Sequence, residues 1–353
     1  MRDNFRPTGK AGNELRTVLD IQKRLLPDLI DVLKKRYTIL HHIMVSRVVG
    51  RRTLASSLNM TERVLRGEVE FLKTQGLIEI EPYGMRITEE GQRLLDEMEP
   101  MVKELLGLSE LEDKLGKRFG VRQIVVVPGD SDHSPYTRFE LGRAGANAIR
   151  KMMDKEGVIA VAGGSTMAEV ANHLTVTPQL KNSLFVPARG GLGESVEYQA
   201  NTIASTMAKK TGGQYRLLHV PDHLGEEAYQ SLMQEPNIKD IVSVIRQARM
   251  VVHGIGEATV MAKRRNLDEA HLEMLKAEGA LAEAFGYYFD RNGRVVHKMP
   301  TVGLRLEDIQ RTEVVIAVAG GKSKGSSIAA VMRFGHTHVL ITDEAAALEM
   351  LNH

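Results

Sequence analysis

Four glycine-rich turns carry the residues best suited to chemistry. Gly163-Gly164-Ser165-Thr166 stands between a strand-like run at 158–162 and an amphipathic run at 167–174. Arg189-Gly190-Gly191 follows the run 183–186, and Gly254-Ile255-Gly256-Glu257 follows 250–253. Gly320-Gly321-Lys322-Ser323-Lys324-Gly325-Ser326-Ser327 follows 314–319. A turn from a strand into a helix exposes backbone N–H groups at the positive end of the helix dipole, where an oxyanion is stabilised. Glycine permits close backbone approach, and the Ser165 and Thr166 hydroxyls add donors. One such turn alone is equally well read as a tight chain reversal. Four of them point further, because Arg189, Lys322, Lys324 and the pair Arg264-Arg265 add positive charge. Together they suit an anionic ligand with two phosphates. Gly321-Lys322-Ser323 lacks the upstream glycine of a Walker loop.

Other chemistries are poorly supplied. Cysteine is absent, which removes disulfides and thiolate metal sites. His219, Asp222 and His223 are better read as loop residues than as metal ligands, and no metal is expected. Ser165 and Ser195 have no His–acid partnership in the sequence. His41 and His42 are adjacent on a helix and cannot share a face. Glu257 and Glu283 are the only proton-transfer candidates, and neither has a partner at a telling spacing. No catalytic residue is expected.

The elements that must position these turns alternate from residue 123 onward. Continuous apolar runs at 123–127, 158–162, 183–186, 215–220, 250–253, 284–289, 314–319 and 338–342 read as buried parallel strands, with amphipathic helices between most of them. The expected fold class is α/β, a doubly wound Rossmann-like sheet covered on both faces, and 284–296 is an inserted hairpin turning at Asp290-Arg291-Asn292-Gly293. All four glycine-rich turns would then gather along one sheet edge.

Residues 52–91 have a different pattern. A short helix at 53–58, a turn at Asn59-Met60 and a second helix at 61–75 precede a hairpin of 77–80 and 85–88. That is a winged helix-turn-helix. Thr61 caps the second helix, and Val64, Leu65, Val69 and Leu72 should pack on Leu54 and Leu58. Arg63 and Arg66 then project where they can read base edges, Arg51, Arg52 and Arg86 suit phosphates, and Thr61 is expected at the DNA surface with them. Helices are also expected from Leu15 to Leu26, from Pro27 to about Lys35, and from Ile39 to Val48. The Leu-rich stretch 88–118, beginning at Thr88 and kinked at Pro100, would connect domains or pair subunits, with a plain core helix as the equal alternative. This predicts a DNA-binding domain at 1–88, a linker helix at 89–120 and an effector domain at 121–353.

Charge follows the same division. Residues 1–88 hold 16 Lys+Arg against 10 Asp+Glu, a net of +6, and the remainder holds 31 against 35, a net of −4. A local basic excess favours a polyanionic partner. At 42% apolar and 26% charged residues the chain has a globular composition. It has no apolar run of bilayer length and no apolar signal core behind its polar start. A cytoplasmic protein without membrane partners is expected.

The motifs Gly163-Gly164-Ser165-Thr166-Met167, Arg189-Gly190-Gly191, Gly254-Ile255-Gly256-Glu257 and Ala319-Gly320-Gly321-Lys322 resemble the sugar-binding domain of SorC/DeoR-type bacterial regulators, and the resemblance extends over essentially the whole chain. It implies a repressor of glycolytic genes with fructose 1,6-bisphosphate or a related sugar phosphate as effector, and no cofactor. It also implies an effector domain similar to sugar-phosphate isomerases and deaminases. Matched by motif, Gly163, Gly164, Ser165 and Thr166 would hold a phosphate, with Arg189 nearby. Glu283 would hold sugar hydroxyls and Lys324 another phosphate, with Gln199, Arg264 and Arg265 contributing. Operator DNA is the implied partner, read by a dimer and, by the same resemblance, a tetramer on DNA. The alternative is a sugar-phosphate isomerase or deaminase with an accessory DNA-binding domain.

Overall fold

Apolar residues spaced three and four apart place one face of each amino-terminal helix in a shared core. The computed structural model describes residues 24–191, 195–221 and 225–353. Leu15, Val18, Leu19, Asp222 and His223 therefore lie outside the described residues. The chain divides into two compact units, up to Glu110 and from Leu111. The first comprises α1 (Pro27–Ser46), α2 (Arg51–Ser57), α3 (Glu62–Thr74), β1 (Ile78–Glu81), β2 (Gly84–Ile87) and α4 (Glu89–Leu105). Ile39, Ile43, Leu54, Leu65, Val69, Leu72, Ile78 and Met85 form its core.

Three local expectations change here. Pro27 opens a single helix that continues to Ser46, because no breaker interrupts the pattern between Lys35 and Ile39. Val64 is 47% exposed rather than buried. The inward face is set by Leu65, Val69 and Leu72, and Val64 lies about 100° away from Leu65 around the helix. The stretch 88–118 is two helices, α4 and α5 (Leu108–Phe119), separated at Gly107 with φ +71°. Pro100 lies inside α4 without ending it.

The second unit continues with β3 (Gln123–Val127), α6 (Pro135–Met152), β4 (Val158–Val161), α7 (Ser165–His173), α8 (Pro178–Lys181), β5 (Leu184–Pro187), α9 (Ala200–Thr211), β6 (Gln214–Tyr215), α10 (Glu226–Leu232) and α11 (Pro236–Arg246). Then come β7 (Met250–His253), β8 (Gly256–Glu257), α12 (Ala258–Arg264), α13 (Glu269–Ala277), β9 (Ala282–Ala284), β10 (Tyr287–Phe289) and β11 (Val295–Lys298). The chain closes with α14 (Leu306–Arg311), β12 (Val314–Val318), α15 (Gly325–Phe334), β13 (Val339–Asp343) and α16 (Glu344–Asn352).

Seven strands form a parallel sheet in the order β3-β13-β12-β7-β4-β5-β6. Alternate residues such as Ile159, Val161, Val252, Ile316 and Val318 face one layer, where they pack with Leu141, Ile149, Val170 and Met207 of α6, α7 and α9. Residues between them, including Ala160, Val251, Ala317 and Leu340, are equally buried on the other face. That double burial explains the continuous apolar runs in the sequence.

Two strand expectations are corrected. Of 215–220 only Tyr215 joins the sheet, together with Gln214 before it, because the Leu218 backbone bonds the Asn201 side chain at 3.0 Å through both its N–H and its carbonyl. The run 284–289 is two strands. Phe285 and Gly286 have φ +56° and +82°, the combination a type I′ turn requires, and Ala284 pairs antiparallel with Tyr287. A second, antiparallel sheet of order β11-β10-β9-β8 results, larger than the expected hairpin. Among the described residues no helix is long and apolar enough to cross a membrane.

Candidate functional site

β4 and β7 are neighbours, but the chain leaves β4 toward β5 and leaves β7 toward β12. Where strand order reverses, the connections diverge and open a crevice beyond the carboxyl ends of the strands. A cavity of about 360 Å³ lies there. It is lined by the loop 162–167 after β4, Arg189 and Gly190 after β5, Gln199, the segment 253–257 after β7, Arg264, residues 283–285, Ser323 and Lys324.

The loop at 163–166 is held by its backbone. Gly164 has φ +117° and donates its N–H to the Tyr198 carbonyl at 2.8 Å. A Cβ on Gly163 would stand 2.8 Å from that same carbonyl oxygen, so a side chain would push the loop away. No side chain caps α7. Its first-turn N–H groups, with the Ser165 and Thr166 hydroxyls, therefore suit an oxyanion in the cavity.

Lys324 is presented by a one-turn helix at Lys322–Lys324, fastened by three carboxylates. Asp343, completely buried, accepts from Gly321 N–H at 2.7 Å and Ser131 N–H at 2.9 Å. Asp132 accepts from the Ser323 N–H at 2.8 Å and hydroxyl at 3.0 Å, and Asp130 accepts from Lys322 N–H at 3.2 Å. Burial lowers the Lys324 pKa, against the opposing pull of Asp132, and Arg264 lowers it further. Lys324 makes no ion pair among the described residues. An entering anion would relieve both penalties. Lys322 does not line the cavity.

Glu283 is buried deep in the cavity wall. Its Oε1 accepts from Arg189 Nη1 at 3.2 Å, Arg265 Nη2 at 2.9 Å and Gly286 N–H at 2.6 Å. Burial alone would raise this carboxyl's pKa, but Arg189 and Arg265 outweigh it and hold it below the ordinary value. Arg265 differs from its expected place. Its side chain has no exposure, also bonds Tyr288 Oη at 3.3 Å, and stands behind Glu283 rather than on the cavity wall. Consecutive residues on a helix point about 100° apart, so Arg264 and Arg265 cannot both face the cavity.

Neither carboxylate weighed for proton transfer is poised for it. Glu257 caps α12, accepting from Thr259 and Val260 N–H at 3.1 Å each and from the Thr259 hydroxyl. Glu283 is fixed in its ionised form. Two cavity residues that the motifs did not single out are His253 and Phe285, whose ring centroids lie 4.4 Å apart. The available signal was a histidine ending an otherwise apolar buried strand.

In the first unit, Thr61 Oγ1 accepts from Val64 N–H at 3.4 Å, so Thr61 acts as the cap of α3. Arg51, Arg63 and Arg66 are exposed and make no ion pair among the described residues. Arg52 is 3.5 Å from Glu62, and Arg86 is 3.5 Å from Glu81. Such exposed pairs are weak and exchange readily for phosphate. Opposite this surface, Glu68 bonds Arg36 at 2.8 Å and pairs with Lys35, joining α3 to α1.

Two family models match the chain. The CggR N-terminal DNA binding domain covers residues 32–102, and the Sugar-bind family, a sugar-binding domain, covers 103–352. The chain is 52% identical to the central glycolytic genes regulator of Priestia megaterium, over 96% of this chain and 99% of that protein. It is 47% identical to the regulator of the same name in Bacillus subtilis, over 95% and 98%. A crystal structure of a SorC family transcriptional regulator from Enterococcus faecalis, at 44% identity, superposes with a TM-score of 0.64 over 69% of this chain and 99% of that one.

Proposed function

The chain belongs to the SorC-type family of sugar-binding transcriptional regulators, and from that premise we propose that it represses glycolytic genes under the control of a phosphorylated sugar, fructose 1,6-bisphosphate. The carrying observation is the composition of the cavity. An uncapped helix start at Ser165 and Thr166 and the half-buried Lys324 ammonium both suit phosphate, while the central Glu283 carboxylate suits hydroxyl donors. A sugar bearing two phosphates satisfies all three, whereas a neutral sugar leaves the cationic groups uncompensated.

The first unit is read as a winged helix-turn-helix whose α3 enters the major groove with Arg63 and Arg66, while Arg51, Arg52 and Arg86 contact phosphates. The effector unit is read as an isomerase- or deaminase-like fold used for sensing. The protein would work in the cytoplasm as a dimer, pairing into a tetramer on its operator. Reading two half-sites gives a regulator both affinity and symmetry, which is the ground for that assembly.

The test is calorimetric titration of wild type, Thr166→Val and Lys324→Met with fructose 1,6-bisphosphate, fructose 6-phosphate and fructose, beside operator binding with and without each. Each variant should bind the bisphosphate roughly tenfold or more weakly, the loss expected for one charge-assisted hydrogen bond. Their operator affinity without effector should be unchanged. No heat with any phosphorylated sugar would overturn the effector reading.

A further inference from the structure

Between the groups suited to phosphate, the cavity has a floor of a different character. His253 ends β7, the central strand at the topological switch, and its ring is buried in the cavity wall. Its Nδ1 lies 2.9 Å from the Gly254 carbonyl oxygen. A carbonyl only accepts, so Nδ1 carries the proton. Burial lowers the imidazole pKa to about 4, opposed by the Gly254 carbonyl and Glu283, so the ring is neutral at physiological pH. The neutral tautomer protonated at Nδ1 leaves Nε2 with a lone pair and no proton.

The neighbouring groups repeat that polarity. Among the described residues Glu283 accepts three hydrogen bonds, all at Oε1, and none at Oε2. The Phe285 ring, tilted 43° to the imidazole at 4.4 Å between centroids, lines the same wall, and its backbone is left-handed at φ +56°. The floor thus offers two acceptors and an apolar ring side by side.

We propose that His253 is a specificity-determining residue of the effector site: its Nε2 accepts a hydrogen bond from a sugar hydroxyl, beside Glu283 Oε2, with Phe285 against the sugar's C–H face. This deepens the sugar-phosphate reading and rests on it. Two adjacent acceptors recognise the hydroxyl-bearing middle of a bisphosphorylated sugar and disfavour any ligand that places a phosphate there. The arrangement distinguishes a sugar bisphosphate from other dianions of similar length.

The experiment compares fructose 1,6-bisphosphate with hexane-1,6-diol bisphosphate, which has two phosphates and no free hydroxyl, by calorimetry. Wild type should prefer the sugar. His253→Phe keeps a ring against Phe285 and removes the acceptor. It should lose about threefold to tenfold in affinity for the sugar bisphosphate, the range of one neutral hydrogen bond, and nothing for the diol bisphosphate. His253→Gln, whose amide oxygen can accept, should recover most of the loss. Should the phenyl variant fail to fold, His253→Met gives the same comparison. Equal losses for both ligands, or no loss for either, would overturn the assignment. Wild type binding neither ligand would overturn the pocket reading itself, and this assignment with it.

Discussion

Replacing Arg265 by methionine tests how the wall of the proposed effector cavity is built. The guanidinium is wholly buried and donates to Glu283 Oε1 at 2.9 Å and Tyr288 Oη at 3.3 Å. Methionine retains a long flexible apolar side chain and removes both donors. Glu283 then keeps Arg189 at 3.2 Å and the Gly286 N–H at 2.6 Å. Removing one partner of a buried ion pair costs about 3–5 kcal/mol. The remaining guanidinium offsets part of this, so a loss of roughly 2–4 kcal/mol is expected at neutral pH. Arg265→Met combined with Glu283→Gln should recover at least about 1 kcal/mol, because no underpaired carboxylate remains. Urea denaturation followed by circular dichroism suits a chain without tryptophan. Since the folded state holds the Glu283 pKa below its unfolded value, its ionisation stabilises above that unfolded value. This contribution is lost as pH falls through the folded value, so the gap between wild type and variant should narrow under acid. The variant should also bind the effector more weakly, although Arg265 touches no cavity wall. Stability within about 0.5 kcal/mol of wild type at pH 7 would refute the reasoning, since that is the range of an ordinary surface substitution.

Two further outcomes concern the DNA-binding unit. Arg66→Ala should cost roughly 1–3 kcal/mol on operator DNA and relax base choice, whereas Arg51→Ala should weaken all sequences alike and flatten the salt dependence by about one ion; gel-shift titrations at several salt concentrations separate the two. Gly84→Ala should destabilise the hairpin, because Gly84 has φ +148° and a Cβ would stand 2.8 Å from the Val49 carbonyl oxygen. A thermal melt of the variant unchanged from wild type would contradict that account.

The sequence by itself determined much of what depends on near neighbours. Continuous β-branched runs marked the parallel strands because both faces of that sheet are covered. Glycine-rich turns marked the ends of those strands because a chain passing from strand into helix at a close approach needs them. Leu65, Val69 and Leu72 announced the inward face of α3 by their spacing, and Thr61 announced its start. Tertiary structure decided what depends on residues brought together from far apart. Periodicity says that Arg264 and Arg265 diverge, but only the packing of α12 against β9 and β10 decides that Arg264 faces the cavity while Arg265 braces Glu283. The carboxylates at 130, 132 and 343 position Lys324 across separations such as the 191 residues between Asp132 and Ser323, which no local pattern encodes. Phe285 looked like the interior of a strand because aromatic residues favour strands. The pairing of Ala284 with Tyr287 makes it a turn residue in a left-handed conformation instead. Local preferences amount to a few tenths of a kcal/mol per residue, and burial of a ring or pairing of a buried charge outweighs them.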